Sequence, residues 1–367
     1  MTYLDYGATS FHKPPQVYKA VAGAFSACAS PGRGGYAAAR EADRTVYRCR
    51  EQAAALFGCL PEQVVFTGNC THALNIAIRT LVKPGDRVVI SGFEHNAVVR
   101  PLYALGARVT VAGRKLFDRL DTLTEFRKAL DRGADAAVFT HVSNVFGYIL
   151  PVEAMAALCR SRGIPFLVDA AQSAGALPVK LDAWGADFIA MPGHKGLLGP
   201  QGTGLLLCKA GAEPLLFGGT GTESRNPHMP DALPERLEAG TLNVPGIAGL
   251  GAGLEFLRRR GLHAEKEQRC LQYCVPRLRE LGMEVFAGES QLGTLAFRCG
   301  TDCEAAAETL AGEGVCLRAG LHCAPLAHES AGTLETGVLR ASFGWASARR
   351  DCDALLRAVS KLPPVQT

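Results

Sequence analysis

The chain has 367 residues, of which 48% are hydrophobic and 20% charged. That is enough apolar surface for two domains and excludes wholesale disorder. The net charge of +4 comes from 39 basic and 35 acidic residues with no long run of one sign, which argues against a nucleic-acid-binding surface. No run of about 18 apolar residues occurs, so no membrane span is expected. Residues 1–10 lack the basic start and apolar core of an export signal. Thirteen cysteines, an odd number in a long chain, read as reduced thiols of a cytoplasmic protein, most of them small buried hydrophobes rather than a disulfide framework.

Prolines at 14, 15, 31, 61 and 84 punctuate an N-terminal arm and the first turns. From 64 to 208, β-rich runs alternate with helical periodicity. Strands are predicted over 64–68, 86–91, 108–111, 136–142, 165–169, 188–191 and 204–208, and helices over 71–81, 95–105, 123–130 and 152–162. The strand runs are apolar throughout rather than alternating, as parallel strands covered on both faces require, so a doubly wound sheet is expected. Residues 218–234, rich in Gly, Pro, Asn and Ser, read as a loop. Beyond it the spacing predicts one long helix or a helix pair over 246–281, strands over 283–286, 293–299, 315–318 and 338–343, and helices over 303–312 and 349–362. The expected organisation is an arm (1–15) packing with the small domain, a large α/β domain (16–245) and a small C-terminal α+β domain (246–367).

The chemistry concentrates in Phe166-Leu-Val-Asp169-Ala-Ala-Gln172 and Phe188-Ile-Ala-Met-Pro192-Gly193-His194-Lys195-Gly196. Asp169 ends an apolar strand, where α/β sheets place ligands, and Lys195 follows the next strand in a glycine-flanked loop. Pyridoxal phosphate needs this pair: an amine that bonds its aldehyde, and a carboxylate that keeps its ring nitrogen protonated. Taken singly, a turn lysine and an aspartate helix cap are the plainer readings; spacing and context together favour the cofactor pair.

With "PGHKGLLGPQGTG" and "VDAAQSAGALPV", the chain resembles the fold-type I, class V aminotransferase superfamily of pyridoxal-phosphate enzymes. Within it, "YLDYGATSFHKP", "RAGLHCAPLAH" and "LRASFG" resemble cysteine desulfurases of the short-loop, SUF-like type II. The likeness runs from about 3 to 360 with its motifs in order. It implies a large, doubly wound, mainly parallel sheet domain plus a small C-terminal α+β domain. It also implies conversion of L-cysteine to L-alanine, with the sulfur held as a persulfide on Cys323. The alternatives are a selenocysteine lyase or another C–S lyase, a class V aminotransferase, and a non-catalytic cofactor-fold binding protein.

The resemblance also implies roles. Lys195 would hold the cofactor and move the Cα proton, Asp169 would pair with the ring nitrogen, and Gln172 would donate to the phenolic oxygen. His95 would stack on the ring and take part in proton transfer, and Asn144 would sit near the cofactor or the substrate carboxylate. The phosphate would meet Cys70 and Thr71 at a helix start, where backbone N–H groups converge, with Thr71 also read as the N-cap. His194 would add a donor. Thr241 and the loop 218–222 would reach the neighbouring subunit's cofactor, which implies a homodimer with shared sites. Pro192 departs from the Ser or Thr usual at its place in the family and offers no donor from side chain or backbone. Arg340 would grip the substrate carboxylate in a bidentate pair, and Arg318 with His322 would place positive charge beside the Cys323 thiolate. The expected partners are L-cysteine or L-selenocysteine and an acceptor protein for the sulfur, with no nucleic acid, membrane or metal.

Three further features read as structural. Gly249-Leu-Gly251-Ala-Gly253 has no preceding strand, so helix packing accounts for it better than a dinucleotide loop. Cys270/Cys274 and Cys299/Cys303 lack a complementary pair for zinc. Arg258-Arg259-Arg260 reads as a solvated helix end, or as a face for an acidic partner.

Overall fold

The computed structural model describes residues 1–32, 34–209 and 211–365. The chain opens with β1 (Thr2–Tyr3), then α1 (Pro15–Ala27) and α2 (Ala37–Phe57). The alternating region follows: β2 (Val64–Thr67), α3 (Cys70–Leu81), β3 (Arg87–Ser91), α4 (Asn96–Ala104), β4 (Arg108–Ala112), α5 (Arg119–Asp131), β5 (Ala136–Thr140), α6 (Val152–Arg160), β6 (Phe166–Asp169), α7 (Leu181–Trp184), β7 (Phe188–Pro192) and β8 (Gly204–Cys208). The C-terminal part is α8 (Val244–Arg260), α9 (Ala264–Glu280), β9 (Glu284–Phe286), β10 (Thr294–Arg298), α10 (Cys303–Gly312), β11 (Val315–Cys316), β12 (Arg318–Gly320), α11 (Pro325–Ala331), β13 (Val338–Ser342) and α12 (Arg349–Val359).

The large sheet has the order β2-β8-β7-β6-β5-β3-β4. Only β8 runs against the others, pairing antiparallel with both β7 and β2. In β5, Ala137 and Phe139 face one apolar core while Ala136 and Val138 face a second on the opposite side. Both faces are therefore dry, which is why the strand sequences do not alternate. The four-stranded sheet β12-β13-β10-β9 encloses a separate core that includes Leu4, Leu271, Cys274, Phe297, Leu339 and Leu355. Cys270, Cys299 and Cys303 belong to that core as well, as small apolar groups.

Several expectations are refined. Two long helices precede β2. The first buries only Val17 and Ala24, and the second a stripe of mostly small residues, so neither advertises a strong apolar period. The 246–281 stretch is a helix pair, broken at Gly261, whose φ of +82° a helix does not admit. The 315–318 strand is two strands: β11 pairs with β1, and β12 pairs with β13. The glycine run in α8 is a packing surface. A Cβ on Gly249 would stand 2.6 Å from Val21 of α1, and one on Gly253 2.4 Å from the Leu197 carbonyl.

The N-terminal arm touches both lobes. Thr2 and Tyr3 pair with β11, Gly7 meets Gln172 after β6, and Thr9, Ser10 and Lys13 bond to the loop that carries Lys195.

Candidate active site

The turns that leave the C-terminal ends of β2, β3, β5, β6 and β7 converge on one cavity, the position at which open α/β sheets bind ligands. Cys70, Thr71, His95, Asn144, Asp169, Gln172, Pro192, His194 and Lys195 all line it.

Asp169 is 3% exposed at the end of β6. Its Oδ1 accepts the Ala171 N–H at 2.8 Å and lies 3.6 Å from the Cys70 thiol. Its Oδ2 has no hydrogen-bond partner among the described residues. Burial pushes the carboxyl up, only partly offset by the Ala171 N–H and by Lys195. A buried cationic N–H is the kind of partner that holds such a group ionised. Lys195 is the converse: burial, then the charge of Arg340, pull its amine below the usual lysine range. A lysine so placed is more readily neutral, and a neutral amine is nucleophilic.

The start of α3, His95, His194 and Gln172 complete the pocket. Asn69 rather than Thr71 caps α3, its Oδ1 accepting the His72 N–H at 2.9 Å. The N–H groups of Cys70 and Thr71 are left in the first turn, where an anion is favoured. His95 caps α4, with Nδ1 accepting the Ala97 N–H at 3.0 Å. Burial, then Lys195, Arg100 and Arg340, push its pKa down to about 4, so the ring is neutral at pH 7 with its proton on Nε2. His194 Nδ1 is 3.0 Å from Thr9 Oγ1. The backbone at His194–Lys195 is strapped by the arm: Ser10 N–H and Lys13 Nζ bind the His194 carbonyl at 3.0 and 2.9 Å, and Ser10 Oγ binds the Lys195 carbonyl at 2.8 Å. Gln172 Nε2 donates to the Gly7 carbonyl at 3.0 Å.

Arg340, Asn144, Asp5 and Arg318 hold one another. Arg340, 3% exposed on β13, donates from Nη1 to the Asn144 carbonyl at 3.0 Å and from Nη2 to Asp5 Oδ1 at 2.7 Å, while its Nε is buried without a partner. Asp5 Oδ2 takes the Arg318 guanidinium at 2.9 Å, so Arg318 is an exposed partner of Asp5 rather than of Cys323. Asp5 was in a motif the sequence singled out, but nothing local marked it as the carboxylate joining two arginines. Asp5→Ala removes the anion from a buried guanidinium, and we expect a loss of about 3 kcal/mol, read as a lower urea midpoint.

Cys323 is the only exposed thiol of the thirteen. It sits between β12 and α11, where His322 and Cys323 take positive φ values of +50° and +58°. Their carbonyls are fastened to the site: Asn144 Nδ2 donates to the His322 carbonyl at 2.8 Å, and Asn96 N–H to the Cys323 carbonyl at 2.8 Å. His322 does not supply positive charge. Its ring is turned inward, 3.2 Å from the Val338 carbonyl, and burial, then Arg340, push its pKa down to about 3.

Thr241 lines a different cleft, with Thr67, Gly68 and Gly202 on the far side of the β2–α3 turn. Its segment is anchored by a buried pair in which the Arg50 guanidinium meets both Glu238 oxygens at 2.9 Å.

A doubly wound sheet with a half-buried lysine and a buried strand-end carboxylate at its C-terminal edge is the architecture of fold-type I pyridoxal-phosphate enzymes. The chain belongs to the aminotransferase class-V family, which it matches over residues 2–355. It is 33% identical to a probable cysteine desulfurase of Methanothermobacter thermautotrophicus, covering 92% of this chain and 89% of that one. It is 31% identical to a cysteine desulfurase of Escherichia coli O157:H7, covering 99% and 93%. Among solved structures it resembles an apo cysteine desulfurase of Thermococcus onnurineus (TM-score 0.90, 29% identity, 98% of this chain and 94% of that one). It also resembles a cysteine desulfurase of Escherichia coli in an S-sulfonic acid form (TM-score 0.85, 28% identity, 98% and 94%). No helix among the described residues is long and apolar enough to cross a membrane.

Proposed function

We propose that the protein is a pyridoxal-phosphate-dependent cysteine desulfurase that converts L-cysteine to L-alanine and keeps the sulfur as a persulfide on Cys323. The observation that carries the reading is the lone exposed thiol, fastened through Asn96 and Asn144 to the turns that line the Lys195 cavity. The residues fit the cofactor: Asp169 has an unpartnered oxygen for a ring N–H, Lys195 is a desolvated amine, and α3 presents first-turn N–H groups for a phosphate. The missing donor at Pro192 leaves that cup to α3, His194 and a second subunit.

When bound, the cofactor supplies an electron sink for the carbon centre of the substrate. Arg340, with its unpartnered Nε, binds and orients the substrate carboxylate. Lys195 holds the cofactor and carries the proton at Cα. His95, neutral with its proton on Nε2, lines the cavity where the ring would lie and would be a proton donor from that atom. Cys323, as thiolate, attacks the substrate sulfur: an S–S bond forms, the C–S bond breaks with its electron pair left on the carbon side, Cβ takes up a proton, and the carbon skeleton leaves as alanine. The test is incubation of the purified protein with L-cysteine and a thiol reductant. Sulfide and alanine should appear in equal amounts, and alanine without sulfide would overturn the reading.

The assembly belongs to the same reading. Leu216 and Phe217 are exposed beside the glycine-rich loop, apolar surface that a second copy would cover. Thr241 would then complete the neighbour's phosphate cup. Light scattering should give twice the 38.8 kDa chain mass, and Thr241→Val should weaken cofactor retention on dialysis while leaving the dimer intact. A fully active monomer would refute shared sites.

A further inference from the structure

The loop that carries Lys195 is held from below by a group to which the reading above gives no part. His263, at the start of α9, is 10% exposed, and its partner Glu267 one turn later is 6% exposed. His263 Nδ1 lies 2.5 Å from Glu267 Oε1, and Nε2 lies 3.1 Å from the backbone carbonyl of Gly196. Both partners are acceptors, so the ring satisfies them together only as the imidazolium, with an N–H at each nitrogen. Burial opposes that charge, but the Glu267 carboxylate and then the Gly196 carbonyl more than offset it and hold the pKa above the ordinary histidine value.

The surroundings leave this clamp little freedom. A Cβ on Gly196 would stand 2.2 Å from the Ala174 carbonyl and 3.4 Å from His263 Nε2. A Cβ on Gly293 would stand 2.4 Å from Glu267 Cβ, so α9 is wedged against the entry to β10. The Gly293 carbonyl in turn accepts the Phe343 N–H at 2.8 Å, just past the strand that carries Arg340. A continuous packed path therefore runs from the small sheet through Glu267 and His263 to the residue after Lys195.

We propose that His263 and Glu267 form a positioning pair for Lys195: the Nε2–H of His263 fixes the Gly196 carbonyl, and with it the root of the lysine side chain relative to the strand that carries Arg340. The inference rests on Lys195 being the cofactor lysine. Reacting groups misplaced by about 1 Å lose on the order of a hundredfold in rate, which is the scale on which such a clamp matters.

The test compares two isopolar variants of the holoenzyme. In His263→Gln the side-chain amide reaches the place of Nε2 and can still donate to Gly196. In His263→Asn it reaches only the place of Nδ1, so the bond to Glu267 survives and the one to Gly196 is lost. The expected result is kcat within about threefold of wild type for H263Q and about tenfold or more lower for H263N, with KM for L-cysteine unchanged in both. Borohydride should also fix the cofactor on the Lys195 peptide more slowly in H263N alone. Equal kcat in the two variants, the reverse order, or failure of H263N to fold while H263Q folds would each overturn the proposal and leave the pair as a fold determinant. Failure of the underlying reading would look different: borohydride would label another lysine in the wild-type protein.

Discussion

Lys195→Ala is expected to abolish both turnover and the yellow colour of the purified protein. The cavity has one amine that is desolvated and held below the ordinary lysine range, first by burial and then by Arg340, and Asp169 lines the same cavity. Lys13 is also depressed by burial, to about 8, but its Nζ is bonded to the His194 carbonyl at 2.9 Å and does not line the cavity. Without Lys195 no other amine is placed to hold the cofactor covalently or to carry the Cα proton, and loss of such a group removes on the order of 10²-fold or more. Borohydride reduction of the wild type followed by peptide mapping should find the cofactor on Lys195. Recovery of the label on Lys13, or colour and turnover surviving the substitution, would refute the assignment.

Cys323→Ala is expected to stop persulfide formation from L-cysteine while leaving cofactor binding and colour intact. The thiol is exposed and contributes no hydrogen bond to the cavity; what fastens the loop is its backbone, through Asn96 and Asn144. Alanine keeps those bonds, so the loop should hold its place and the stability cost should stay below about 1 kcal/mol. What disappears is the exposed thiol proposed to take the substrate sulfur. A selenocysteine substrate should retain partial turnover in this variant, since its C–Se bond is weaker and selenium can leave without capture. Wild-type sulfide release from L-cysteine by C323A would make the protein a lyase that eliminates sulfur directly.

Much of this was legible in the sequence because the signals are local. Continuous apolar runs ending in Asp169 or followed by the Lys195 loop report strands buried on both faces, and the C-terminal edge of such a sheet is where ligands bind. The two helices before β2 were not legible: α1 buries two residues, and α2 packs through a stripe of mostly small ones. Nor was the charge on His322 readable from its neighbours, since burial rather than adjacency to Arg318 decides its protonation.

The sequence by itself determined the alternation of elements, and it marked Asp169 and Lys195 by their place after apolar strands and Cys323 by the family likeness of its motif, because each of these signals is written in a short stretch of chain. The tertiary structure alone decided which groups meet. Asp5 joins Arg340 and Arg318, Gln172 turns to Gly7, Asn144 links Arg340 to the Cys323 loop, and His263 reaches Gly196. The reason is physical. Buried polar groups must find partners wherever the packed chain brings a donor to an acceptor, and residues 5 and 340 become neighbours only once the N-terminal arm has paired alongside β13.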